Sequence, residues 1–226
     1  MLIIESNILD ITVSGYTITL LHQKAIWMPE IKTLIIADLH IGKIEHFRSA
    51  GIGLPSEAST ATITKLKNIL DTYLPEKVIF LGDLFHSRKN SSFSFFKNLL
   101  ETYSHVEFIL VSGNHDIMTE NDYQNLGLVV VYEYYLEKLW LTHEPQDKII
   151  PGFYNIAGHL HPGVRLTGKG KESISLSCFY FGEQSAILPA FGYFTGKAML
   201  QNKEKGTIYA IADEKIIMIP KTQRCF

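Results

Sequence analysis

The spacing of apolar positions changes character twice along the chain. Residues 11–28 alternate apolar and polar positions around Ser14-Gly15, which predicts a β-hairpin. IKTLIIAD, residues 31–38, is instead a short continuous apolar run, as a strand covered on both faces should be. After the glycine-rich SAGIGLP, a helix is predicted over 56–73. Ser56 follows Pro55 and can cap it, and Ile63, Leu66, Leu70 and Tyr73 recur at spacings of three and four. KVIFLGD (77–83) reads as the next strand, Phe96, Leu99, Leu100 and Tyr103 mark a second helix, and VEFILVSG (106–113) is a third strand. Right-handed crossovers make these three strands neighbours in one parallel sheet.

From about Leu128 the helical spacing gives way to strands with short connections: LVVVYEYYL, KLWLTH, YNIAGHLH, SISLSCFYF and TIYAIADEKIIMI. They predict a second, mostly antiparallel or mixed sheet packed on the first. No repeat, low-complexity tract or dividing linker interrupts the chain, so residues 1–226 read as a single α/β domain.

Composition narrows the functional classes. The chain is 46% hydrophobic and 19% charged, enough apolar content for a sizeable core. A formal net charge of -2 excludes a global basic field that would coat nucleic acid, so any polyanion must be held by local charge. Cys178 and Cys225 are far apart and form no CxxC, which fits a reducing compartment. MLIIESNILDITVSG lacks the basic start of a signal peptide, and no apolar run is long enough to span a bilayer. A cytoplasmic protein is expected.

The chemistry lies at the strand ends. The three parallel strands end in Asp38-Leu39-His40, in Gly82-Asp83-Leu84-Phe85-His86 and in Gly113-Asn114-His115-Asp116. Ligands of open α/β sheets sit outside the carboxyl ends of the strands, so these clusters should converge. The second half adds His143 in LWLTHE, and His159 and His161 in AGHLHP. Positions two apart on extended backbone point the same way, so Asp38 with His40, and His159 with His161, can each act as a pair. Glycines before Asp83, Asn114 and His159 allow close backbone approach. Imidazole with carboxylate and no thiolate suits Mn, Fe or Zn, and seven such groups are too many for one tetrahedral site but suit two metals.

The ordered set D-x-H, G-D-x-x-H, G-N-H-D, T-H-E and G-H-x-H resembles the calcineurin-like metallophosphoesterases. The resemblance implies a four-layer α-β-β-α sandwich of two mixed sheets. It implies one metal held by Asp38, His40, Asp83 and His161, and another by Asp83, Asn114, His143 and His159, with Asp83 bridging. His115 would face the scissile phosphate, with Asp116 orienting it. GDLFHSRKN resembles the second motif of SbcD-type repair nucleases, in which His86 would position substrate. ADLHIGK, FRSAGIGLP, LTHEP, GHLHPGV and LPAFGYFTG together resemble the bacterial phosphodiesterases encoded with an ATP-dependent DNA ligase and a helicase, the PdeM family. That likeness implies two divalent ions, Mn²⁺ foremost with Fe or Zn as alternatives. It also implies a DNA substrate, single-stranded, in ligase-associated repair, functional association with the ligase and helicase, and no membrane.

Lys43, Arg48, Arg88, Lys89, Arg165 and Lys169 lie in the loops after these strands, and Arg48 and Arg88 are singled out as contacts to flanking phosphates. His22 and His105 read as surface or strand-edge residues, His46 as a residue near the site without a role in it, Phe93, Phe95 and Phe96 as helix core or edge, Tyr132, Tyr134 and Tyr135 as packing, and Cys178 as a small buried hydrophobe. LPAFGYFTG holds no group that titrates near neutral pH and reads by chemistry alone as a structural turn. Two other functions remain open: a small-molecule phosphoesterase using the same metals, and a scaffold that binds without catalysis, as in the retromer subunit of this fold. Loss of catalysis would show as missing ligands or a missing GNHD histidine, and none is missing.

Overall fold

A computed structural model describes residues 5–49, 51–53, 58–86, 91–116, 118–168, 170, 172–200 and 205–220. After the short β1 (Glu5–Ser6), one sheet is laid down in chain order: β2 (Ile8–Val13), β3 (Tyr16–Leu21), β4 (Ala25–Met28), β5 (Thr33–Ala37), β6 (Lys77–Leu81), β7 (Glu107–Val111) and β8 (Leu128–Val131). Its first four strands pair antiparallel and its last four parallel. Helices α1 (Lys43–Ser49) and α2 (Ala58–Tyr73) join β5 to β6, α3 (Ser91–Thr102) joins β6 to β7, and α4 (Glu120–Gln124) joins β7 to β8.

The second sheet holds β9 (Tyr134–Leu136), β10 (Leu139–Thr142), β11 (Tyr154–Ala157), β12 (Pro162–Thr167), β13 (Ser173–Phe181), β14 (Ser185–Ile187), β15 (Ala198–Met199), β16 (Thr207–Ala212) and β17 (Lys215–Ile219), with β1 on its edge. It is mixed: β10, β11 and β14 run parallel, while β13, β16 and β17 pair antiparallel.

The continuous apolar runs have the physical basis the sequence suggests. Leu34 and Ile36 of β5 pack with Val78, Phe80, Phe108 and Leu110 against the helices, where Leu66, Leu70, Phe96 and Leu100 meet them. Ile35 and Ala37 point the other way, with Ile79, Leu81 and Ile109, into the layer shared with Leu141, Ile156, Phe179 and Leu188 of the second sheet. Alternate residues of each parallel strand thus serve two cores, so no polar face is left to show in the sequence. Full burial of a Leu or Ile side chain contributes about 1.5–3 kcal/mol, in keeping with charge in β5, β6 and β7 being confined to the first residues Lys77 and Glu107.

Several elements differ from the sequence reading. LVVVYEYYL is not one strand. Leu128–Val131 extends the first sheet parallel to β7, because α4 supplies a crossover, and only Tyr134–Leu136 joins the second sheet. A third strand, β4, follows the Ser14-Gly15 hairpin, and α1, α4 and β12 appear where no periodic signal was long enough to predict them. The proposed Ser56 cap lies outside the described residues. Cys178 is fully buried, Cys225 lies outside the described residues, and no described helix is long and apolar enough to cross a membrane.

Candidate metal centre

Register brings the ligand types together. Ala37, Leu81 and Val111 are paired across β5, β6 and β7, so Asp38, Asp83 and Asn114 leave one sheet edge side by side. Thr142 pairs with Ala157, so His143 and the Gly158-His159 step leave the second sheet together. The chain then turns sharply. Asp38, His40, Asp83, His159 and His161 all have left-handed backbone, with φ of 54°, 47°, 51°, 66° and 48°. Each such non-glycine residue costs about 1–3 kcal/mol and persists only where its surroundings hold it. Here the His40 amide donates to Asp83 O at 2.9 Å, Gly158 N to His143 O at 2.9 Å, and His159 N to Asp38 Oδ2 at 2.9 Å. Gly82 is required where it stands: its φ is 71° and a Cβ there would lie 2.2 Å from His143 Nδ1.

Two groups result. Asp38, His40 and His161 form one, and Asp83, His143 and His159 the other, each with its ligand atoms within 4.8 Å of one another. Asp83 faces both, with Oδ2 3.7 Å from His40 Nε2 and Oδ1 3.4 Å from His143 Nε2. Asn114 Oδ1 lies 3.0 Å from His143 Nε2, on the second group. This corrects the expectation that His159 and His161 act as a pair. The two rings serve different groups, whereas Asp38 and His40, equally left-handed, share one.

The donor set suits cations. His143 Nδ1 lies 3.0 Å from Leu81 O, which can only accept, so Nδ1 carries the proton and Nε2 keeps its lone pair. That lone pair faces Asn114 Oδ1 at 3.0 Å and His159 Nδ1 at 3.1 Å, and only the latter can supply a proton. In the other group, His40 Nε2 and His161 Nε2 face each other at 3.3 Å. Asp38 is fully buried and its Oδ1 has no hydrogen-bond partner among the described residues. The Asn114 oxygen set against the His143 lone pair, together with an orphaned buried carboxylate oxygen, is costly unless positive charge sits among them. Burial, then the Lys43 ammonium and neighbouring imidazoles, drive His40 far below the usual imidazole range, leaving it in the neutral form that binds metal.

Further side chains surround this centre. The His86 and His115 rings lie 6.0 Å and 6.3 Å from the His40 ring, with His115 exposed. Burial, followed by Lys43 and His46, lowers His86. The His46 ring is 5.0 Å from that of His86, so His46 borders the site. Lys43 lines a small hollow with His40, and burial lowers its ammonium although Asp83 and Asp38 pull it back up. A Lys43–His46 spacing of one helical turn was the available signal, but α1 is too short to announce itself.

Among the described residues the Asp116 carboxylate makes no hydrogen bond to the His115 ring. It accepts instead from the amides of Asp83, Leu84 and Gly113 at 2.9, 2.9 and 2.8 Å and from the Tyr123 hydroxyl at 3.2 Å. Burial raises its carboxyl, with the Gly113 and Leu84 amides pulling the other way. Arg48 is exposed on α1. Arg88, Lys89 and Lys169 lie outside the described residues. LPAFGYFTG is more than a turn: Phe191 N and Gly192 N donate to Ala37 O at 2.8 Å and Asp38 O at 3.1 Å, bracing the first ligand loop.

A family model described as calcineurin-like phosphoesterase matches residues 31–211. Among solved structures, that of the Pseudomonas putida nuclease MPE aligns with a TM-score of 0.79 at 29% identity, covering 94% of this chain and 100% of that one. The E. coli phosphoesterase Yfce aligns with a TM-score of 0.40 at 14% identity, covering 85% of this chain and 94% of that one. No curated protein matches the chain.

Proposed function

Because the chain belongs to the calcineurin-like phosphoesterases and is a metal-dependent phosphoesterase, we propose that it is a two-metal phosphodiesterase that cuts DNA, single-stranded by preference. The observation that carries the two-metal reading is Asp83, which turns one carboxylate oxygen to each histidine group. The DNA reading draws its support from likeness to a nuclease across nearly the whole chain.

In this reading Asp38, His40, Asp83 and His161 hold one cation, and Asp83, Asn114, His143 and His159 the other. Two bound cations would supply neutralisation of the anionic ester and a water acidified from its bulk pKa of about 15.7 toward neutrality. His115, exposed at the rim, is the group that stabilises charge on the leaving oxygen or delivers a proton to it. Asp116 holds the Asp83 turn from behind. His86 orients the strand, and Arg48 and Arg88 contact flanking phosphates. Mn²⁺ is the proposed metal, and the resemblance to ligase-associated phosphodiesterases supports a place in DNA repair beside an ATP-dependent ligase and a helicase.

The test is cleavage by the purified protein with Mn²⁺ on single-stranded, duplex and gapped DNA, beside a nitrophenyl diester and a nitrophenyl monoester. Product ladders on single strands and steep salt dependence of binding are expected. Turnover of the monoester far above every diester would overturn the nuclease reading. His86→Ala should keep both metals and lose kcat/KM on single-stranded DNA by a larger factor than on the small diester, since a long chain can bind in many registers.

A further inference from the structure

A second cavity, of about 550 Å³, lies outside the metal centre and has Lys24, Lys65 and Lys197 on its wall. They come from distant segments: the β3–β4 turn, helix α2 and the stretch after β14. No ion pair among the described residues involves any of them, although Asp213 and Glu214 also line the wall. Lys65 has a structural duty: its Nζ donates to Phe191 O at 2.5 Å and lies 3.6 Å from the Phe191 ring centroid. Lys197 Nζ donates to Ser175 O at 3.2 Å. Lys24 sits in left-handed backbone at φ 70°.

The three ammonium groups repel one another, and Lys24 and Lys65 also lose hydration, while Asp213 and Glu214 on the same wall form no ion pair with them among the described residues. Burial and then Lys197 bring Lys24 down to about 8, and burial and then Lys24 bring Lys65 well down too. The contacts of Lys65 and Lys197 to Phe191 O and Ser175 O leave the mutual repulsion uncompensated, whereas a bound anion would offset both penalties.

The cavity is also linked to the metal centre by residues 191–193. The amides of Phe191 and Gly192 hold the Asp38 loop, while the Phe191 carbonyl takes Lys65. Tyr193 lines both this cavity and the hollow beside His40 and Lys43.

We propose that the lysine cavity is a phosphate subsite, occupied by a phosphate of the bound polynucleotide away from the bond being cut. Its chemistry, a phosphate group held by ammonium groups, stands apart from the function proposed above; the source of that phosphate rests on it.

The test uses the full chain with Lys24→Gln and Lys197→Gln combined, leaving Lys65 to hold Phe191. Affinity for a labelled single-stranded oligonucleotide should fall about tenfold at low salt, with the salt slope reduced by about one unit. Hydrolysis of bis-nitrophenyl phosphate should stay within about twofold of wild type. In parallel, acylation of Lys24 and Lys197 in the wild-type protein is followed by mass spectrometry with no addition, with oligonucleotide and with inorganic phosphate; oligonucleotide should protect both lysines. Unchanged affinity and slope, or equal losses on oligonucleotide and small diester, overturn the subsite. If the wild type neither binds nor cuts DNA, the nuclease reading fails by itself. Protection by inorganic phosphate would then uphold phosphate chemistry with a small-molecule source, and absence of protection would overturn the subsite.

Discussion

Asp116 is coupled to Asp83 through the backbone: its Oδ2 accepts the Asp83 amide at 2.9 Å, while Asp83 turns its own side chain outward to both histidine groups. Among the described residues the Asp116 carboxylate receives four donors. Asp116→Asn sets an NH₂ group against some of them and should release the turn that aims Asp83. The expected outcome is a metal affinity lower by about 10–100-fold, the usual effect of losing such a supporting contact. Metal titration checks it, and excess metal should restore much of the activity. A rate loss that metal cannot rescue would point to direct participation in the chemistry.

Asp83→Asn should abolish hydrolysis, because a neutral amide cannot serve two cations. The change sits at a sheet edge outside the apolar clusters, so the fold should persist by circular dichroism while bound metal falls below two per chain. Near-normal turnover with two metals retained would reject the bridging role.

His115→Ala should retain both metals and lose rate by about 10²–10⁴-fold, the span of a positioned acid. The loss should shrink on a nitrophenyl diester, whose leaving group needs little help. Equal losses across leaving groups would mark a purely electrostatic role, and loss of metal would place His115 among the ligands.

Gly192→Ala tests the brace between LPAFGYFTG and the first ligand loop. A Cβ there would lie 2.2 Å from Leu39 O, a backbone atom that cannot swing aside. The cost should be about 1–3 kcal/mol, typical of overpacking. Metal affinity should fall along with the melting temperature, although residue 192 holds no metal. A variant that melts lower but titrates metal normally would show the brace to be structural only.

Lys24 makes stability depend on pH in a stated direction. Its folded value, about 8, is below the ordinary 10.5, so between these the unfolded chain binds more protons and stability rises with pH. Below pH 8 the burial penalty is present in full. Lys24→Gln should therefore raise the melting temperature at pH 7 in anion-free buffer, with the gain over wild type shrinking toward pH 10. A constant difference across that range would contradict it.

The identities of the clustered residues were legible because strand ends carry little but their chemistry. GNHD, GDLFH and GHLH each interrupt an apolar run abruptly. Their conformations were not: nothing in Asp38 announces left-handed backbone, which is held by hydrogen bonds from His159 and Gly192, more than a hundred residues away. The target of Asp116 was hidden for the same reason, since a residue beside His115 in sequence bonds instead to the loop after β6. Both faces of β5 were readable from its unbroken apolar run. The β8–β9 break was not, because Val131 and Tyr134 are both strand formers and only the sheet they join distinguishes them. The lysine cavity left no local pattern, its three cations being scattered from 24 to 197.

Neither sheet owns a complete set of ligands: Asp38, His40, Asp83 and Asn114 come from one, His143, His159 and His161 from the other. An ion seated here is therefore a latch across the seam between two halves of one polypeptide. A ligand at a hundred times its dissociation constant adds about 2.7 kcal/mol to the closed state. A chelator would thus loosen the docking of the sheets as well as stop hydrolysis, and metal supply would govern how long the folded chain survives proteolysis.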